Sequence, residues 1–220
     1  MDLDAAQVRV LGCLIEKQHT TPDAYPLTLN SLRLACNQST NRDPVVDYDE
    51  ATVREAAQRL GQRGLARLAS YHGSRAHKYR HLVDETLGLP GDERALLCVL
   101  MLRGPQTSGE LKQRTERLHS FAGLPSVEEA LDRLTERDLG RWLERRPGQK
   151  EARYTHLMED TDAETEDERP AAAEPVHAPP PSPEVQPVGL AEEVTELRRE
   201  LDALRADVAE LREQLSQLTS

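Results

Sequence analysis

The sequence predicts a mainly α protein with small β hairpins, laid out as two winged-helix units, a disordered linker and a C-terminal coiled coil. Three observations predict it. The order helix, helix, helix, two-stranded hairpin is written twice before residue 159. The charge changes character at the same place: residues 1–158 hold 23 basic and 22 acidic side chains, whereas residues 159–220 hold 5 and 17. Finally, an unbroken apolar heptad runs from Leu190 to Leu218. The net charge of −11 therefore belongs almost wholly to the tail and does not argue against a nucleic-acid partner for the front. Aromatic residues are few, one Trp and one Phe beside five Tyr, so the core must be built from Leu, Val and Ala.

The first unit is read over residues 1–83. Asp4 and Gln7 have the spacing of a capping box with a Leu3/Val8 staple, which opens a helix through about Gln18. Thr28 caps a short helix from Leu29 to Cys36. Tyr48-Asp49 opens a third, with Tyr48 stapled on Val53, an apolar stripe at Val53, Ala56, Ala57 and Leu60, and a stop at Gly64. Residues 65–70 and 76–82 then flank His72-Gly73-Ser74 as a hairpin. The second unit, 84–158, repeats the order. A helix from about Gly91 to Arg103 is closed by Gly104-Pro105; Thr107/Glu110 and Ser126/Glu129 have capping-box spacing; residues 140–146 and 151–157 flank Pro147-Gly148-Gln149. Counted from Gly73 and Gly148, Tyr79 and Tyr154 fall at the same place, as do His81 and His156.

The tail has two parts. In residues 159–189, seven of the first ten side chains are acidic and seven prolines follow between Pro170 and Pro187, a composition that predicts an extended, solvated linker. Residues 190–218 carry Leu190, Val194, Leu197, Leu201, Leu204, Val208, Leu211, Leu215 and Leu218 at alternating spacings of four and three, an a/d seam. Val and Leu at a with Leu at d favour two parallel strands. The g-position acids Glu193, Glu200 and Asp207 would meet Arg198, Arg205 and Arg212 across such a dimer. The alternative is a tail helix folded back onto the body.

The longest apolar run, Ala95 to Leu102, is eight residues, well below the ~20 needed to span a bilayer, and the N-terminus has no apolar signal core. Cys13, Cys36 and Cys98 each sit in an apolar stretch with no C-x-x-C pair. They predict reduced core thiols in a cytoplasmic protein that does not engage membranes.

Four segments carry a resemblance: Leu14–Gln18, Thr21–Asn30, Ala35–Pro44 (Ala-Cys-Asn-Gln-Ser-Thr-Asn-Arg-Asp-Pro) and Pro147–His156. Together they resemble the YceH-type family of uncharacterised bacterial proteins. The resemblance covers roughly residues 4–158 and implies tandem winged helices with a suspected role in transcription or DNA binding.

The residues themselves point the same way. The first hairpin carries Arg67, Arg75, Lys78 and Arg80 without an acid. The second carries Arg141, Arg145, Arg146, Lys150 and Arg153 against Glu144 and Glu151. Basic hairpins beside a groove-reading helix suit phosphate contacts. Arg54, Gln58 and Arg59 on the outer face of the first unit's third helix are the side chains expected to reach base edges. The same face in the second unit, read as Glu128, Asp132, Arg133, Glu136 and Arg137, is nearly acidic and fits a protein partner better. Within Asn37–Arg42 the asparagines are expected to satisfy turn backbone, with Arg42 left open between structure and phosphate. Glu16-Lys17 reads as a helix-end charge pair. His77 and His81 lie four apart on a strand, a spacing that does not converge two rings on one metal. No phosphate loop or nucleophile motif is found, so neither enzyme activity nor a cofactor is expected. The sequence thus predicts a dimeric, double-stranded-DNA-binding protein with a role in transcription, or alternatively a protein-interaction module on the same fold.

Overall fold

Asp4 starts the first helix as its spacing directs. In the computed structural model, which describes residues 1–69, 77–145 and 151–159, Asp4 Oδ1 accepts from the Gln7 backbone N–H at 2.8 Å and Gln7 Oε1 accepts from the Asp4 N–H at 3.3 Å. Helix α1 (Ala5–Thr20) follows, two residues longer than expected. A 3₁₀ turn at Pro22–Ala24 leads to β1 (Leu27–Thr28) and α2 (Leu29–Cys36), capped by Thr28. Asp49 caps α3 (Glu50–Gln62), and Gly64, at φ +73°, turns the chain into β2 (Ala66–Ala69) and β3 (Lys78–His81). A short α4 (Val83–Leu87) joins this half to α5 (Gly91–Arg103). Then come α6 (Ser108–Thr115), α7 (Leu124–Glu136), β4 (Gly140–Leu143) and β5 (Arg153–His156).

The architecture is mixed α+β, with helices and small antiparallel sheets. The two halves match in detail. In the first, the strands order β1-β3-β2, and Leu27 lies opposite Tyr79. In the second, Gln106 and Tyr154 exchange backbone hydrogen bonds of 3.0 and 2.8 Å beside the β4–β5 pair. A piece of chain just before the second helix thus pairs with the tyrosine of the inner strand both times. The sequence showed the hairpins but not this third member, because one or two residues are too few to display alternation.

One cap differs from expectation. Ser126 does not begin α7. The helix starts two residues earlier at Leu124-Pro125, where proline suits a first turn that needs no N–H. Ser126 lies inside it, with its hydroxyl accepting from the Gly123 N–H at 3.3 Å and donating to the Gly123 carbonyl at 2.8 Å.

The core centres on α1 and α5. Val10, Leu11, Leu14 and Ile15 of α1 and Leu96, Leu97 and Leu100 of α5 are fully buried. The apolar run Ala95–Leu102 is buried on all sides, which explains why it shows no polar face. Gly12 sits where the two helices approach: a Cβ there would lie 2.9 Å from Leu102 Cγ and Cδ2, and Cys98 Sγ approaches the Gly12 carbonyl at 3.4 Å. Gly12→Val is therefore expected to destabilise the protein by about 1–3 kcal/mol through overpacking, read as a lowered urea midpoint with unchanged slope. An unshifted midpoint would show that the seam can open without cost.

By contact, the chain divides into residues 1–167 and 168–220, and all described residues belong to the first. The coiled-coil positions Val194, Leu197, Leu201, Leu204, Val208, Leu211, Leu215 and Leu218 lie outside the described residues, as does the linker beyond Glu159. Both hairpin turns, with Arg75, Arg146 and Lys150, also lie outside them. No helix among the described residues is long and apolar enough to cross a membrane.

Candidate nucleic-acid interface

Alternation decides the faces of the first hairpin. Ala66 and Leu68 stand opposite His81 and Tyr79, and both of those partners are buried against the body. Arg67 and Ala69 stand opposite Arg80 and Lys78 and take the outward face. Arg67 and Arg80 are thus directly cross-strand neighbours, an arrangement like charges disfavour. Glu85 relieves one of them: its carboxylate accepts from Arg80 at 2.9 Å, and that hydrogen bond holds it below the usual carboxylate range. Arg67 and Lys78 make no ion pair among the described residues.

The α3 candidates are exposed but not bare. Arg54 pairs with Glu50 at 3.5 Å, and Arg59 pairs with Glu55 at 2.6 Å and Asp4 at 3.3 Å. These are solvent-exposed pairs, each worth about 0–1 kcal/mol, so an incoming polyanion can displace them. Gln58 is exposed between them. Arg59 leans towards Asp4 at the start of α1, where an open cavity of about 600 Å³ is lined by Asp2, Leu3, Arg59, Gln62, Arg63 and Glu159 among others. No hydrogen bond or ion pair joins Arg54, Gln58 or Arg59 to Arg67, Lys78 or Arg80 among the described residues.

The second half departs further from the expectation. Arg133 and Arg137, though both are partly exposed, are engaged in ion pairs rather than free to read a groove. Arg133 Nε reaches Glu93 at 2.6 Å and its Nη2 reaches Asp92 at 2.5 Å, while Arg137 Nε lies 3.3 Å from Glu93. Glu93 is completely buried, so its carboxylate draws the guanidiniums of Arg133 and of Arg137, which caps the end of α7, onto the start of α5 and holds the Arg133 charge firmly in place. The acidic side chains Glu128, Glu129, Asp132 and Glu136 are all exposed on α7, beside the uncharged Leu124, Pro125 and Thr135. The second hairpin is also less free than its count of basic residues suggests. Arg153 donates to Glu110 at 3.1 Å and to the Pro105 carbonyl at 2.9 Å. Arg145 is exposed beyond β4.

Other sequence candidates turn out to be structural. Arg42 is buried, donating to both Glu16 oxygens at 3.0 and 2.6 Å, to the Ala35 and Asn41 carbonyls and to Gln38 Oε1. Glu16 is therefore the anchor of this loop and also keeps the expected charge pair with Lys17, 3.4 Å away. Burial works to raise its carboxyl pKa, but the Arg42 hydrogen bonds and charge outweigh that and hold it low. Asn37 clamps Tyr48 through a donated bond to its carbonyl at 2.8 Å and an accepted one from its N–H at 2.9 Å, as expected of a turn asparagine. Asn41 adopts φ +60° and accepts from Arg103. The loop from Asn37 to Pro44 thereby ties α1, α2 and α5 together. Periodicity gave no sign of Glu93, since its partners come from a helix forty residues on. Arg133 and Arg137, one turn apart, were the available clue. His81 is buried, with Nε2 2.6 Å from Gln18 Oε1, and Cys13, Cys36 and Cys98 are buried and unbridged. Among the described residues no group of three or more His, Cys, Asp or Glu side chains is placed to hold a metal.

A family model described as "Protein of unknown function, DUF480" matches residues 3–149. The chain belongs to this family. In keeping with that, and with the YceH-type resemblance, it is similar to a UPF0502 protein of Pelobacter propionicus, with 46% identity covering 96% of this chain and 94% of the relative. It is 52% identical to one from Koribacter versatilis over 71% of this chain and 73% of the relative. A UPF0502 protein of Photobacterium profundum is 40% identical over the full length of both. The similarity to this DUF480 chain thus extends, in the first and last of these, well beyond the body into the tail.

Proposed function

We propose that this DUF480 member is a cytoplasmic tandem winged-helix protein that binds double-stranded DNA through its first half and acts in transcription. The carrying observation is the outward face of the first hairpin. There Arg67 and Arg80 are held side by side with Lys78 next along the strand, and only Arg80 has a carboxylate partner among the described residues. Such a face is strained by its own charge and relieved by phosphate. The order helix, short strand or bridge, helix, helix, hairpin occurs in both halves and supports a winged-helix reading, in which the third helix enters the major groove and the hairpin tracks the backbone. Arg54, Gln58 and Arg59 then read base edges, and Arg67, Arg75, Lys78 and Arg80 hold phosphates. Arg145, Arg146 and Lys150 add weaker contacts. The tail dimerises as a parallel coiled coil. About 31 residues of linker extend up to ~95 Å, so the dimer gains avidity rather than a fixed half-site spacing.

The test is binding to random-sequence duplex DNA, followed by fluorescence anisotropy across a salt titration. Wild type is expected to show a steep negative dependence of log affinity on log salt. Replacing Arg67, Lys78 and Arg80 together by Ala is expected to flatten that slope by roughly 2–3, near 0.9 for each phosphate left without its cation. Absence of binding at low salt overturns the reading and leaves protein docking as the function of the fold.

A further inference from the structure

Gly140 and Trp142 share one face of β4, since side chains alternate along a strand. A Cβ on Gly140 would lie 3.6 Å from Leu134 Cβ, so that face is the one turned towards α7. Trp142, the only tryptophan of the chain, is nonetheless 52% exposed. Opposite it stands Tyr154, packed on the edge of the core. The Tyr154 phenol pKa is raised by burial and then by the nearby charges of Asp132 and Glu128. Tyr154 therefore lies near both carboxylates, and Trp142 stands beside it on the side of the hairpin that faces the groove along α7. The cations that would neutralise this helix, Arg133 and Arg137, are drawn to Glu93. Arg141 takes the opposite face of β4.

In the winged-helix reading this groove is where nucleic acid would lie, and its chemistry opposes phosphate. Glu128, Glu129, Asp132 and Glu136 are all exposed there and repel a polyanion. An exposed indole on the hairpin face turned towards an acidic helix suits the opposite charge: a guanidinium or ammonium stacks on the ring face while its neighbours make charge-assisted hydrogen bonds to the acids. We propose that the groove between α7 and the β4–β5 hairpin docks a Lys/Arg-rich segment of a partner protein, with Trp142 stacking on one cation and Glu128 and Asp132 pairing the next. This does not depend on DNA binding by the first half.

Trp142 reports on its own groove. In the full chain, titration with an octapeptide of alternating Arg and Lys is expected to change Trp142 emission saturably. The change is expected to fade at high salt and to weaken at least tenfold when Glu128→Gln and Asp132→Asn are combined. Both substitutions are on the exposed face of α7, and circular dichroism verifies that the helices persist. Peptide captured by the acidic tail leaves the emission untouched, because no tryptophan is there. An unchanged emission, or a change that survives the double substitution, overturns the proposal. So does an emission change produced by duplex DNA in place of the peptide, or one that grows with protein concentration alone. Those two results would give the groove to DNA or to a second copy.

Discussion

Arg42→Ala is expected to cost the fold on the order of 3–5 kcal/mol, the usual penalty for removing one partner of a buried charge pair. In a body of this size that corresponds to a fall in Tm of roughly 10 °C. The side chain is fully buried, and its removal strands more than one group. The Glu16 carboxylate loses hydrogen bonds of 3.0 and 2.6 Å, and the Ala35 carbonyl loses two, of 3.1 and 2.9 Å. Each leaves a desolvated acceptor facing a void. Arg42→Lys is expected to recover little of the loss, because a single ammonium cannot reproduce a fork that serves Glu16, Ala35, Asn41 and Gln38 at once. Urea unfolding monitored by circular dichroism measures both. A loss below about 1 kcal/mol for Arg42→Ala would mean that water replaces the guanidinium, and the loop would then not be anchored as described.

Acid is expected to remove a comparable amount of stability through His81. Burial above all holds its imidazole pKa at about 4, against about 6.5 for an unfolded chain. The hydrogen bonds agree: Nδ1 accepts from the Val83 N–H at 3.3 Å, so the ring's proton sits on Nε2, donated to Gln18 at 2.6 Å. A second proton on Nδ1 would point at the Val83 N–H. The folded state thus prefers the neutral ring. The stability this confers is complete above the unfolded pKa and is lost as the pH falls from about 6.5 towards 4, to a limit of about 3 kcal/mol. His19, lowered by its partial burial and by Arg94, acts with the same sign. Glu16 enters only lower, as its depressed carboxyl is protonated in the acid range. Unfolding free energies at pH 7, 5 and 4 should show most of the decline above pH 4, and His81→Gln should flatten that part of the curve. A wild-type curve level between pH 7 and 4 would contradict the burial of this ring.

What the sequence made legible were features carried by near neighbours. Asp4 with Gln7, Thr28 with Ser31, and Thr107 with Glu110 each close a bond three residues apart, and the helices they open stand where they were expected. Ser126 misled because the Leu-Pro pair just before it starts a helix equally well, so the hydroxyl meets the same Gly123 from inside the first turn. The outer face of α7 departs from its periodicity for a different reason. Periodicity says which residues avoid the core, but not that a buried Glu93 on another helix will claim two of them. In the candidate interface, the basic character of the first hairpin could be read from composition, and alternation supplied the faces. The pairing of Arg54 and Arg59 with acids, one of them fifty-five residues away at Asp4, could not. The approach of Tyr154 to Glu128 and Asp132 gave no signal, because strand and helix meet only through the fold.

The first and last described residues carry one more consequence. The Leu3 N–H donates to the Met158 carbonyl at 3.0 Å, and the amino terminus reaches the Leu157 carbonyl at 3.3 Å. The segment before α1 is thus stitched to the segment after β5. Beyond the packing of α1 on α5, the two halves are tied twice: along the chain through α4, and across space by these hydrogen bonds. Loosening either segment therefore frees the other.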